Sequence, residues 1–156
     1  MNIPSYGRRL LATVLDCFIY LTLCLPFLLL LKNIWVIAPL VALFDFIYFV
    51  YLAYRFDGTP GKKILGLAIQ TVDGSSINLW TAAKRHYGIT LIGLMFALPF
   101  YALTLLFETG LMNAFLVGLA KAIPNLVFLA DHLTLLFNDK RRALHDYVAN
   151  TVVVRD

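Results

Sequence analysis

The sequence predicts an all-α transmembrane protein, a bundle of about four membrane-spanning helices. A small cytoplasmic β-hairpin and an amphipathic helix are expected between spans two and three. Of the 156 residues, 61% are hydrophobic and 14% charged, against roughly half and a quarter in a soluble domain. The apolar excess is gathered into long blocks, which a bilayer demands and a water-soluble core does not. The cations cluster to one side of those blocks. The chain is read as a single membrane domain, 1–156.

Span one is Leu10–Leu31, "LLATVLDCFIYLTLCLPFLLLL", 22 residues, enough to cross about 30 Å of hydrocarbon. Lys32 and Asn33 turn the chain into span two, Ile34–Tyr54. Span three is Tyr87–Phe107. Span four is placed at 122–137, with Lys121 snorkelling at the outer surface. That leaves a short last span of about 24 Å. Residues 111–120 then lie along the interface or extend the helix; the alternative is that Lys121 lines a path through the protein. Cys17 and Cys24 are about 10 Å apart along one helix, too far for a bridge within it, and read as buried packing residues. The first apolar block is too long for a cleavable leader, and no small-residue cleavage site follows it.

The loop 55–86 contains "KKILGLAIQTVDGSSINL", two apolar runs around Asp73-Gly74, a favoured hairpin pair. "SINLWTAAKRHYG" reads as an amphipathic helix feeding span three, with Asn78 as its cap. "VANTVVVRD" is β-branched enough to add a strand to the hairpin.

Of the 13 Lys and Arg, Arg8 and Arg9 precede span one. Arg55, Lys62, Lys63, Lys84 and Arg85 follow span two, and Lys140, Arg141, Arg142 and Arg155 follow span four. Lys32 and Lys121 lie on the other side. The positive-inside rule therefore puts both termini, the loop and the tail 138–156 in the cytoplasm. Trp35 at the outer end of span two, and Tyr48, Tyr51 and Tyr54 towards its inner end, suit headgroup level. Anionic lipids are expected at Lys62 and Lys63. Nucleic acid is not an expected partner, because no basic run is interleaved with aromatics on a soluble domain.

Asp16, Asp45, Asp131 and His132 are ionisable groups inside the spans. Asp16 and Asp131 lie about 10 Å from the inner face, and a helix-centre carboxylate costs about 3 kcal/mol on insertion scales. Each therefore needs a partner or water. Arg9 shares a helical face with Asp16, but side chains lean toward the N-terminus, so Arg9 leans away. The companion of Asp16 is sought among Arg85, Arg141, Arg142, His132 and His145. Asp45 is expected to meet a hydroxyl from a neighbouring span. Pro26, Pro39, Pro99 and Pro124 fall in the outer halves of the spans and read as ordinary kinks of a packed bundle, proline being common in transmembrane helices; the alternative is that they splay the outer half.

"GTPGKK" is not a phosphate loop, since Phe56 and Lys63 occupy places that need glycine and Ser or Thr. Pro60-Gly61 reads as a tight turn. His145-Asp146 alone supplies too few ligands for a metal, and no nucleophile constellation stands out.

The residues Arg9-Leu-Leu-Ala12-Thr-Val-Leu-Asp16, then "GTPGKKILGLAIQTVDG", Arg85 before a span, and "RRALHDYVANTVVV" together resemble the RDD family of bacterial membrane proteins. The family is named for one arginine and two aspartates. Arg9 and Asp16 match the first pair, and the second aspartate is carried to Asp146, with Asp131 as the alternative. Asn150 stands where the pattern has glycine, which alters the turn there. The resemblance implies a multi-pass protein of the bacterial inner membrane with a suggested transport role, no cofactor and no enzymatic chemistry.

Two functions follow as expectations. One is transport of a small ion or solute through a polar inner cavity built from Arg9, Asp16, Arg85, Asp131, His132, His145 and Asp146. Four spans make a small transporter, so a homo-oligomer is expected with it. The other is a structural or accessory subunit of a larger membrane complex, in which the same charges lock helices together.

Overall fold

A computed structural model describes residues 2–107, 110–138 and 141–156; Lys140, one of the tail cations, lies outside them. Helix α1, Tyr6–Leu30, begins at extended Ser5, whose hydroxyl accepts the Arg8 N–H. After Leu31, Asn33 Oδ1 accepts the Trp35 N–H at 3.0 Å and opens α2, Ile34–Asp45. The backbone then widens into a π-helical stretch, Phe46–Tyr51, before α3, Leu52–Phe56, completes the helix. The i→i+5 turn changes which face looks inward. Helix α2 buries no residue, whereas the π stretch buries Tyr48 and Val50. Asp45 is half-buried where the two join.

Pro60-Gly61 is not an isolated turn. Pro60 is the first residue of a short helix, α4, Pro60–Ile64, a position where its missing N–H would have had no intrahelical partner. Strand β1, Leu67–Thr71, follows.

The expected hairpin forms its turn but not its second strand. Gly74, at φ 89, donates to Thr71 O at 2.9 Å, and Thr71 N–H donates to Ser75 O at 3.0 Å. Hydrogen bonds from Thr71 and Ser75 hold the Asp73 carboxyl below the usual carboxylate range. Pairing then stops at one bridge, Gln70 with Ser76. The cause is the next helix, α5, Leu79–Thr104: Asn78 Oδ1 accepts the Thr81 N–H at 2.8 Å, so the chain must leave the strand conformation almost at once. The ladder forms instead with β2, Thr151–Arg155, antiparallel, from Leu67 opposite Arg155 to Thr71 opposite Thr151. Leu67, Ile69, Val152 and Val153 are fully buried in this pair. The sheet is thus closed by the segment that the sequence reading only added to it.

Asn150 enters β2 at φ 53, the left-handed region that asparagine tolerates better than other residues with a Cβ. This accounts for the departure from glycine. Asn150→Val is expected to lose about 1–2 kcal/mol, and Asn150→Gly to melt within about 1 kcal/mol of the native chain; thermal unfolding in detergent checks both.

One further boundary differs from expectation, and a second takes one of its two expected forms. The amphipathic segment and span three form one continuous helix, α5, with no break at Tyr87. Residues 111–120 extend the fourth span's helix, α6, Leu111–Leu133, which tightens into a 3₁₀ turn, Thr134–Leu136. Helix α7, Leu144–Val148, precedes β2.

Among the described residues four helices are long and apolar enough to cross a membrane: Tyr6–Leu30, Ile34–Phe56, Leu79–Thr104 and Leu111–Leu136. Between 11% and 17% of the most apolar stretch of each is buried. The greasy side chains therefore face outward, while Arg9 and Asp16 of α1 and Asp131 of α6 are buried. That is the arrangement a bilayer requires of charged groups within spans. Pro26, Pro39, Pro99 and Pro124 sit inside α1, α2, α5 and α6. The chain divides into two compact units, Met1–Ala83 with Asn150–Asp156, and Lys84–Ala149.

Candidate functional site

The charged residues singled out in the sequence form two clusters, one in each unit. In the first, Asp16 is 2% exposed. Its Oδ1 accepts the Tyr48 hydroxyl at 3.0 Å and the Gly61 N–H at 2.7 Å. Its Oδ2 accepts the Thr59 hydroxyl at 2.5 Å and the Lys62 ammonium at 3.2 Å. A carboxylate has about four acceptor positions, so Asp16 is saturated.

Each donor is delivered by a local feature. The π stretch turns Tyr48 inward. Thr59, the residue preceding α4, does not cap its own helix; its hydroxyl goes to Asp16 instead. Asp16 does the capping, because Gly61 is the second residue of α4 and its N–H has no intrahelical acceptor. A negative charge at a helix start also opposes the positive end of the helix dipole. The connection that carries Thr59 is strained: Asp57 sits at φ 53, and its Oδ1 is buried without a hydrogen-bond partner, among the described residues. Such features persist where their surroundings over-determine them.

The companion of Asp16 is therefore not found among Arg85, Arg141, Arg142, His132 and His145. It is Lys62, read from the sequence as a headgroup contact, with three uncharged donors. A search restricted to opposite charges could not have found Tyr48, Thr59 or a backbone N–H. Arg9 is buried in the same helix.

Gly61 is set by contact. A Cβ there would lie 2.6 Å from Ala12 O and 2.7 Å from Asp16 N, backbone atoms with no room to give. Gly61→Ala improves helix propensity by about 1 kcal/mol. Overpacking costs about 1–3 kcal/mol and a weakened ionic hydrogen bond about 1.5–3 kcal/mol. The variant is expected to be net destabilised by about 1.5–5 kcal/mol, seen as a lower melting temperature in detergent.

The second cluster joins α5, α6 and α7. Asp146 is fully buried. Its Oδ1 accepts Arg85 Nε at 3.0 Å and Nη2 at 2.9 Å, and its Oδ2 accepts the Ala143 N–H at 3.1 Å. Asp131 accepts the His145 backbone N–H at 2.7 Å on Oδ1 and meets His145 Nδ1 at 2.7 Å on Oδ2. Arg85 Nη2 stands 2.8 Å from His145 Nε2. A guanidinium can only donate, so Nε2 is the acceptor and Nδ1 carries the proton given to Asp131. His145 is therefore the neutral Nδ1–H tautomer. Burial first, then the Arg85 guanidinium, push its pKa below the ordinary histidine value, against the pull of Asp146 and Asp131. With both ring nitrogens engaged, it has no lone pair left for a metal.

Asn138 ties the tail to the end of α6. Its side chain accepts the Arg142 N–H at 2.6 Å and donates to Arg142 O at 2.8 Å and Thr134 O at 2.6 Å. Arg142 donates to Asp146 O at 3.0 Å and lies 4.2 Å from the Tyr147 ring centre, a cation–π contact. His132 turns back along its own helix, with Nδ1 3.0 Å from Phe128 O and 3.6 Å from Asp131 Oδ2. Arg85, Asp131, His145 and Asp146 thus meet in one network, His132 stands at its edge, and both candidates for the second family aspartate are in it.

Outward apolar helices around saturated buried acids define a multi-pass membrane protein. The chain belongs to the RDD family, whose model matches residues 3–150. Comparison with curated proteins found no match, and neither did comparison with solved structures.

Proposed function

We propose that this protein is a non-catalytic architectural or accessory subunit of a complex in the bacterial inner membrane. Its buried charges fasten interhelical segments to the spans, and its termini lie on the cytoplasmic side. One observation carries the reading: every acceptor position of Asp16 is filled from within the chain. A carboxylate that passes an ion or solute needs a position open to its cargo, and at 2% exposure Asp16 offers none. Charge supports the orientation: Arg8, Arg9 and Arg55 stand at the ends of long helices, Lys63 and Arg155 lie outside them, and the positive-inside rule assigns such cations to the cytoplasm.

Reconstituted vesicles test the function. If the subunit is architectural, cation and proton flux match empty vesicles, and Asp16→Asn lowers the yield of folded protein. Flux from the native chain that disappears in a normally folded Asp16→Asn variant would sink the proposal in favour of transport. Reporters fused to either end test the orientation, and an external signal would reverse it.

A further inference from the structure

We propose that a groove at the end of the second membrane helix holds one anionic phospholipid, with its phosphate on Lys63. A concavity of about 280 Å³ is lined by Leu52, Phe56, Gly58, Pro60 and Lys63. Leu52 and Phe56 belong to the last turns of the helix Ile34–Phe56, the level at which hydrocarbon gives way to headgroups. The exposed floor is wholly apolar, as the top of an acyl chain requires, and Lys63, the one charged residue among those lining it, contributes its aliphatic stem.

The two adjacent lysines have different tasks. Lys62, with a side chain 14% exposed, is committed to Asp16 and Thr59. Lys63, 37% exposed, lines the groove with its stem and carries its ammonium to Asp156, itself 48% exposed, at 2.7 Å. An ion pair this exposed contributes little, so it yields to a phosphate that the groove also grips by its apolar part. Arg55 supplies a second cation beside the lining, its guanidinium 5.8 Å from the Phe56 ring centre. Asp57 is not part of the lining. A Cβ on Gly58 would stand 3.0 Å from Lys63 Cδ and 3.2 Å from Leu67 O; the bare glycine lets the lysine stem lie against the turn.

Charge selects the occupant. A zwitterionic lipid brings a cation toward Lys63 and Arg55, whereas a lipid with net negative charge does not. The site depends on membrane embedding and not on the architectural role, so the two proposals fail separately.

The full chain, delipidated in detergent and reconstituted with photoreactive phosphatidylglycerol, is expected to be labelled within residues 52–63. Labelling spread along all spans, or equal labelling by a phosphatidylcholine probe, would overturn the site. Native mass spectrometry supplies the second arm. Lys63→Ala is expected to retain at least fivefold less phosphatidylglycerol per chain, and Lys84→Ala as much as the native chain. Equal losses in the two variants would mean diffuse surface attraction and no groove. A fatty acid retained in place of phospholipid would also refute the assignment. If Lys63→Ala does not fold, the labelling map of the native chain decides alone.

Discussion

Asp16→Ala is expected to lose about 3–5 kcal/mol of folding stability, the range for breaking a buried charge interaction from one side. The magnitude follows from what is left behind. Tyr48, Thr59 and the Gly61 N–H each lose their acceptor, and Lys62 keeps its charge with a side chain only 14% exposed. Asp16→Asn keeps the shape but replaces one acceptor oxygen with an NH₂ group. Whichever way the amide turns, that group faces two donors: Tyr48 with Gly61, or Thr59 with Lys62. It should therefore behave much like Asp16→Ala. Lys62→Met removes one donor of four, the one nearest solvent, and should lose less than either. Unfolding in mixed detergent with a helicity or exposure readout measures the series. An Asp16→Ala protein that melts with the native chain would show that the carboxylate holds nothing.

The second large effect centres on Asp146. Asp146→Ala leaves Arg85, 10% exposed at its side chain, without its carboxylate, and releases the Ala143 N–H at the start of α7. A loss of about 3–5 kcal/mol is expected, with residues 141–149 exchanging their amide hydrogens faster than the spans. Unchanged exchange there would place the anchor of α7 elsewhere.

The same network predicts a pH dependence. The His145 pKa is depressed in the folded chain, so between that value and about 6.5 the unfolded chain binds the extra proton. Stability is therefore fully present above about pH 6.5 and falls as the medium is acidified, by at most about 1.4 kcal/mol per pH unit for one proton. Protonation would also set an N–H against Arg85 Nη2, a donor facing a donor. His145→Gln should flatten the acid limb. If acid sensitivity persists unchanged in that variant, another group is responsible.

The long helices were legible because a bilayer imposes length and composition that no other environment does. Asparagine caps at Asn33 and Asn78 are equally local, and the β-branched run at 151–154 announces a strand. What escaped notice depends on contacts distant in sequence. Nothing in "FIYFVY" signals an i→i+5 turn, so the inward rotation of Tyr48 was invisible. Gly61 looked like a turn residue, whereas its bareness serves α1, some 45 positions earlier in the chain. Lys62 and Lys63 are indistinguishable by sequence, yet one is committed to a buried acid and the other to a groove. The hairpin departs from expectation because turn chemistry at Asp73-Gly74 is local, while the competition for β1 is decided by a segment about eighty residues further on.

That competition bears on how the chain is made. The first compact unit joins Met1–Ala83 to Asn150–Asp156, so β1 emerges from the ribosome long before its partner strand exists. Until translation reaches Thr151, the backbone edge of Leu67–Thr71 has no mate, and every intervening helix must be inserted while it waits. Completion of the first unit is in this sense postponed until Thr151–Arg155 has been made.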